Sequence, residues 1–251
     1  MLEIENLSCG YDDHPVVHNV SFSVNAGQRL CIMGPNGCGK TTLLRAVAGL
    51  LPYTGTVRVC GKDLKSISRR EAARSIALMS QITSVYFSYT VYETVLLGRY
   101  AHTKGGAFSG TTEEDRRIAL DCMARTGTLE LKDRMITELS GGQLQRVFLA
   151  RTFAQSPQII LLDEPTNHLD LKYQVELVED LKAWTANENR CAVGVLHDVN
   201  LALDFADTIL LLQDGRVQAF SPAESFDLAK LSEVYQMDVG GYMRRSLKRW
   251  E

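Results

Sequence analysis

The sequence predicts an α/β fold: a mostly parallel sheet as core, an antiparallel β subdomain at the N-terminal end, and an α-helical subdomain inserted in mid-chain. Three observations predict it. Strand-like runs fill the first 80 residues, and from residue 82 to 154 the helical period dominates. After Pro157 the alternation of strand and helix resumes with the apolar runs 159–162 and 191–196, as expected of parallel strands covered on both faces.

Taken in order, Leu2, Ile4 and Leu7 roughly alternate with polar residues, and residues 16–24 read as a strand ending in the turn Asn25-Ala26-Gly27. Residues 29–33 are a short apolar strand running into a glycine-rich loop. Residues 41–51 read as a helix with Leu44, Val47, Ala48 and Leu51 on one face. Residues 55–60 return to a strand, with a turn at Gly61-Lys62, and residues 76–79 are another apolar strand. Thr111-Thr112-Glu113-Glu114 carries a capping box ahead of Ile118, Ala119, Cys122 and Met123, and residues 104–110 form a glycine-rich loop. Leu171, Val175, Val178 and Leu181 mark a later helix. Residues 207–220, turning at Asp214-Gly215, read as a hairpin, and Ser221-Pro222 opens a terminal helical piece. The chain reads as one domain: residues 1–81 and 155–251 form the core, and residues 82–154 the helical subdomain.

Composition narrows the classes. At 45% hydrophobic the chain has an ordinary globular balance, which excludes disorder, collagen and coiled coil. With 27 basic and 30 acidic side chains the formal charge is −3, a poor field for a general nucleic-acid binder. No apolar run approaches the ~20 residues that cross a bilayer. Acids stand at Glu3 and Glu5, where a signal peptide needs a basic start, so a cytosolic chain is expected. The 6 cysteines are scattered without a C-x-x-C pair and are expected to be reduced thiols.

Gly34-Pro35-Asn36-Gly37-Cys38-Gly39-Lys40-Thr41 matches G-x-x-x-x-G-K-[ST], between a short strand and a helix. The glycines let backbone N–H groups turn inward as an anion cradle, and the helix adds its positive end. Lys40 is placed to reach the β- and γ-phosphates and the Thr41 hydroxyl to ligate Mg²⁺, with Thr42 next in the cradle. The second signal is an aliphatic strand, residues 159–162, ending in Asp163-Glu164. Two adjacent acids there are costly unless a cation meets them. Asp163 is the expected holder of the metal and Glu164 the expected general base for water. The third is Leu139-Ser140-Gly141-Gly142-Gln143, opening a helix. Ser140 and Gln143 form a capping box, but Gly141 and Gly142 cost roughly 1 kcal/mol each in a first turn. A bare helix end is a phosphate-docking surface.

The phosphate loop, the pentad, the Asp163-Glu164 strand and His197, in that order and spacing, resemble the nucleotide-binding subunit of an ATP-binding cassette (ABC) transporter over nearly the whole chain. The resemblance implies a P-loop NTPase (RecA-like) core and an ATPase that uses ATP and Mg²⁺. It implies that Tyr11 stacks on adenine and that Gln81, after the strand 76–79, contacts Mg²⁺ and water. It also implies that His197 contacts the γ-phosphate and that Asp170, in Asn167-His168-Leu169-Asp170, touches the opposite subunit. Two copies are then expected head to tail, the phosphate loop of one facing residues 140–143 of the other, with ATP between them. An isolated copy should bind ATP and hydrolyse it poorly.

The implied partners are a second ATPase subunit, integral-membrane permease subunits and, indirectly, an extracytoplasmic substrate-binding protein; no nucleic acid is expected. The implied place is peripheral, on the cytoplasmic face of the plasma membrane. Residues 91–100 and 197–202 resemble the subgroup that imports ferric siderophores, haem and cobalamin. Tyr86, Phe87, Tyr89 and Tyr92 are candidates for a groove that receives a permease helix, or for core of the helical subdomain. The basic tail, Arg244, Arg245, Lys248 and Arg249, reads as a solvated face. The rival readings are a soluble cassette ATPase acting on ribosomes or DNA, an importer ATPase for another cargo, and a phosphate-loop kinase or GTPase, which has no use for the double-glycine pentad.

Overall fold

In a computed structural model, the structure describes residues 1–12, 14–80, 88–103, 110–167, 169–186 and 189–248. Gln81, Tyr86, Phe87, His168, Arg249 and most of the loop 104–110 lie outside the described residues.

Two sheets organise the molecule. The first is antiparallel, built from β1 (Leu2–Tyr11), β2 (His14–Val24), β4 (Tyr53–Val59) and the short β5 (Lys62–Asp63), in the order β2-β1-β4-β5. The second contains β3 (Arg29–Met33), β6 (Ile76–Met79), β7 (Ile159–Asp163), β8 (Cys191–Val195), β9 (Thr208–Gln213) and β10 (Arg216–Pro222), in the order β10-β9-β3-β8-β7-β6. Its strands are parallel except β10, which returns antiparallel on β9.

The parity of the strands decides what covers each face. Leu30, Ile32, Leu161, Val193, Leu210 and Leu212 point to one side, where β1, β2, β4 and α1 (Lys40–Val47) complete a buried core. Cys31, Met33, Ile160, Leu162, Ile209 and Leu211 point to the other. There α5 (Gly141–Ala154), α6 (Leu171–Thr185), α7 (Val199–Phe205), α8 (Leu228–Tyr235) and α9 (Val239–Leu247) supply the cover. Strands buried on both faces must be apolar throughout, as the runs in β7 and β8 are.

A third, smaller core joins α3 (Val91–Leu96), α4 (Glu113–Arg125) and α5 through Val91, Val95, Ala119, Met123, Val147 and Ala150. Tyr92 packs against this core, and the Tyr89 carbonyl accepts the Ile136 N–H. At its centre Arg99 Nε donates to Asp115 Oδ1 at 2.8 Å, both side chains under 10% exposed. Arg99 Nη1 also donates to the Ala154 carbonyl and Ser156 Oγ, which ties α4 to the end of α5.

The structure corrects several local expectations. The first helix ends at Val47 rather than residue 51, because Gly49 adopts φ +71° and reverses the chain, leaving Leu50 exposed. The first 80 residues are not all strand: α2 (Arg69–Ser75), capped by Ser68, precedes β6. The capping box of α4 is Thr112 with Asp115, one residue later than expected. Leu171 and Val175 lie on the exposed side of α6, while Val178 and Leu181 are buried. The terminal piece extends β10 through Pro222 before turning helical.

Burial pushes the Asp115 carboxyl up, but the Thr112 N–H, the Arg99 guanidinium and the Thr112 hydroxyl outweigh it and hold the group below the usual carboxylate range. The stabilisation is therefore present above the ordinary carboxylate pKa and is lost as pH falls through the depressed value. Asp115→Ala, which leaves the Arg99 charge buried without its partner, is expected to cost ~3–5 kcal/mol at neutral pH. Chemical denaturation measures this, and the gap from the parent protein should shrink in acid.

Candidate nucleotide site

β3, β8 and β7 are neighbours, and Val195 of β8 pairs with both Ile32 of β3 and Asp163 of β7. Residues just past these three strand ends therefore emerge side by side. They are the phosphate loop, Glu164 and His197. The carboxyl edge of a parallel sheet is where such folds hold ligands.

The loop leaves β3 at Gly34, whose φ is +149°. A Cβ there would sit 2.0 Å from the Leu212 carbonyl oxygen, so only glycine fits. Gly39, at φ +104°, is the N-cap of α1, which carries no side-chain cap on its first turn. Lys40 is 6% exposed, and its Nζ donates to the Gly34 carbonyl at 2.8 Å and the Pro35 carbonyl at 2.9 Å. Carbonyl contacts satisfy the buried ammonium's donors without neutralising its charge, which is the condition of a cation waiting for an anion. Cys38, 4% exposed, has its thiol pushed up by burial and serves as packing under the loop.

Thr41 Oγ1 donates to Asp163 Oδ1 at 2.9 Å. Asp163 is 3% exposed. Burial raises its pKa, the Thr41 hydrogen bond opposes that, and the nearby Glu164 charge adds to it. Glu164 follows with φ +54°, a left-handed backbone that costs a non-glycine residue about 1–2 kcal/mol. The turn aims its carboxylate into the cleft. Oε1 lies 2.6 Å from His197 Nε2, and Oε2 accepts from Asn167 Nδ2 at 2.6 Å.

Lys40, Thr41, Glu164, Asn167 and His197 line one cleft of about 540 Å³ together with Val16, Asn36, Gly37, Gly39 and Thr42, and Asp163 meets it through Thr41. Two sequence-predicted groups lie apart from it. Tyr11, half exposed at the end of β1, borders an adjacent cleft with Tyr53 and Pro15, and its Oη accepts from Arg45 Nη1 at 3.1 Å. Ser140, Gly141, Gly142 and Gln143 form the start of α5. Their capping box is present in both directions, Gln143 N–H to Ser140 Oγ at 3.3 Å and Ser140 N–H to Gln143 Oε1 at 3.0 Å. Asp170 caps α6 by accepting the Tyr173 N–H. Gln81 lies outside the described residues.

Sequence reasoning did not single out Asn167 as the second partner of Glu164. A small amide three residues past an acid is an ordinary turn signal. It also missed Gln145, whose buried Nε2 donates to the Pro165 carbonyl at 2.9 Å and ties α5 to the turn that carries Glu164.

The sequence model of the ABC transporter family matches residues 17–167. Over 98% of its length the chain is 39% identical to the uncharacterised ABC transporter ATP-binding protein YvrA of Bacillus subtilis, covering 56% of that protein. Over 95% of its length it is 35% identical to the iron(3+)-hydroxamate import ATP-binding protein FhuC of Bacillus subtilis, covering 88% of it. The chain thus spans about half the length of some curated relatives it matches and nearly all of others. Among solved structures, a dimeric ATP-binding cassette in a post-hydrolysis state, bound to ADP and phosphate, superposes with a TM-score of 0.79 at 29% identity, over 90% of this chain and 100% of that one. The chain belongs to the ATP-binding subunits of the ABC transporter family.

Proposed function

We propose that this chain binds and hydrolyses ATP as one of a pair of identical subunits, on the cytoplasmic face of the membrane. The pair powers a permease that imports a metal chelate of the iron-siderophore, haem or cobalamin type. The observation that carries the hydrolytic reading is the convergence of Lys40, Thr41, Glu164 and His197 on one cleft, with Asp163 bonded to Thr41 beneath it. The name of FhuC supports the cargo class and the dimeric cassette with ADP and phosphate supports the pairing. Permease subunits, and indirectly an extracytoplasmic substrate-binding protein, are the partners this reading requires. No described helix is long and apolar enough to cross a membrane.

In this reading the residues divide the work. Backbone N–H groups of Gly37, Cys38, Gly39, Lys40, Thr41 and Thr42 gather the phosphates, with Gly34, Pro35 and Asn36 shaping the turn. Lys40 turns from its carbonyls to the β- and γ-phosphates. Tyr11 stacks on the adenine, within the ~1–3 kcal/mol that such a contact is worth. Glu164 accepts the proton of the attacking water on a carboxylate oxygen, and His197 donates to the γ-phosphate. Residues 82–154 act as a helical subdomain on the core formed by 1–81 and 155–251. The glycine-bearing start of α5 lies over the triphosphate of the second copy.

The donor set also fits Mg²⁺. Thr41 Oγ1 and Asp163 Oδ1 are hard oxygens 2.9 Å apart, and among the described residues no cationic side chain is bonded to the buried Asp163 carboxylate. Thr41 and Asp163 would hold the ion; Gln81, the third expected ligand, lies outside the described residues. When bound, it neutralises charge on the β- and γ-phosphate oxygens.

A raised carboxyl pKa means that the folded state binds more protons than the unfolded one between the ordinary and the raised value, so stability falls as pH rises through that window. Asp163→Asn is accordingly expected to raise the nucleotide-free melting temperature at neutral pH and to lose most of the stabilisation that Mg-ATP gives the parent. The gain in melting temperature should vanish in acid. Glu164→Gln is expected to keep ATP binding and accumulate an ATP-dependent dimer, seen by light scattering on a sizing column, with turnover reduced at least ~100-fold. Turnover at the parent rate would remove Glu164 as the base. Lys40→Ala should bind ATP weakly and show no nucleotide-dependent dimer.

A further inference from the structure

Gly34 lies one residue beyond the last β3–β9 pair, Met33↔Leu211, so its N–H points past the end of the sheet ladder. A part-buried backbone donor at that point needs an acceptor from elsewhere. Tyr235 provides it from 201 positions along the chain: the Gly34 N–H donates to the Tyr235 hydroxyl oxygen at 3.2 Å. Tyr235 is the last residue of α8 and packs against the core on the second face of the sheet. The turn into α9 fixes its direction. Gln236 takes the left-handed conformation, φ +53°, and α9 docks back on α8 through the Val239 N–H to Ser232 Oγ at 3.2 Å.

The same residue is held on its other sides. The Gly34 carbonyl, in the peptide unit that follows, accepts Lys40 Nζ, and the Leu212 carbonyl fills the space where a side chain would stand. Farther along the loop, the Cys38 carbonyl accepts the Gly215 N–H at 3.0 Å, from the turn between β9 and β10. The underside of the loop thus rests on the C-terminal part of the chain at two points.

We infer that Tyr235 is a positioning residue for the phosphate loop, its hydroxyl fixing the Gly34 backbone and, through the Gly34 carbonyl on the other side of that residue, the Lys40 ammonium for the triphosphate. The inference rests on the nucleotide reading of the cleft. Tyr235 does not line that cleft; it acts through Gly34.

The test uses the full chain with Mg²⁺ and a fluorescent N-methylanthraniloyl ATP. Tyr235→Phe removes one oxygen and keeps the ring. It is expected to raise the Kd for this nucleotide by about three- to tenfold, the range one neutral hydrogen bond is worth. Amide exchange without nucleotide should quicken in peptides from residues 34–43 and stay at the parent rate in α8 and α9. A Kd equal to the parent's overturns the inference, as does a lowered melting temperature with an unchanged Kd, which would make the contact structural only. Parent protein and Lys40→Ala run alongside. If the parent fails to bind the nucleotide, the reading of the cleft falls and this inference with it. If the parent binds, Lys40→Ala loses binding and Tyr235→Phe matches the parent, only the inference falls.

Discussion

The register of three neighbouring parallel strands is the constraint on which the site depends. Val195 stands beside both Ile32 and Asp163, so the chain turns off β3, β8 and β7 at one level. A slip of one residue in any of these pairings would move a cleft group by about 3.3 Å and exchange the two faces of that strand. The slip is forbidden because both faces are already committed, Leu161 and Val193 to one core and Ile160 and Ala192 to the other. The aliphatic packing that makes the core thereby sets the spacing of the charges at its edge.

Charge at that edge is arranged in unequal pairs. Among the described residues, Lys40 is buried with carbonyl partners and no carboxylate bonded to it, while Asp163 is buried with only the Thr41 hydroxyl bonded to it. Either arrangement is poorer than a direct ion pair would be. Glu164 and His197, by contrast, meet at 2.6 Å, and Asn167 holds the other carboxylate oxygen. The strained backbone at Glu164 persists because that side chain is gripped on both oxygens and because Gln145 fixes the next peptide through the Pro165 carbonyl. That last bond links α5 to the turn that carries Glu164.

Much of this was legible in the sequence, for identifiable reasons. Contiguous motifs survive any error in element boundaries, so the loop at Gly34 to Thr41 and the Asp163-Glu164 strand end were readable directly. The double apolar face of β7 and β8 announced a sheet covered on both sides. The misreadings were local. Gly49 stopped α1 by conformation, although Leu50 and Leu51 continued its apolar pattern. Helix α2, with no buried residue, has almost no hydrophobic signal and is carried by the Ser68 cap. Tyr235 was beyond reach because its partner is a backbone N–H, which no side-chain pattern reports, 201 residues away.

The start of α5 is where local preference and local packing disagree. Two glycines in the first turn weaken a helix by about 1 kcal/mol each. The capping box of Ser140 and Gln143 returns part of that, by using the Ser140 and Gln143 N–H groups. No intrachain cleft group needs the missing side chains, since the phosphate cleft is lined by none of the four residues. Ser140 and Gly141 stand exposed to solvent. In the function proposed above, the gain that offsets this weakened helix end comes from outside the chain. An approach to within hydrogen-bonding distance of backbone N–H groups at the positive end of a helix selects an anion. In the proposed pairing that anion is the triphosphate held by the phosphate loop of the second copy. Under that proposal, two copies related by a twofold axis would satisfy both surfaces at once.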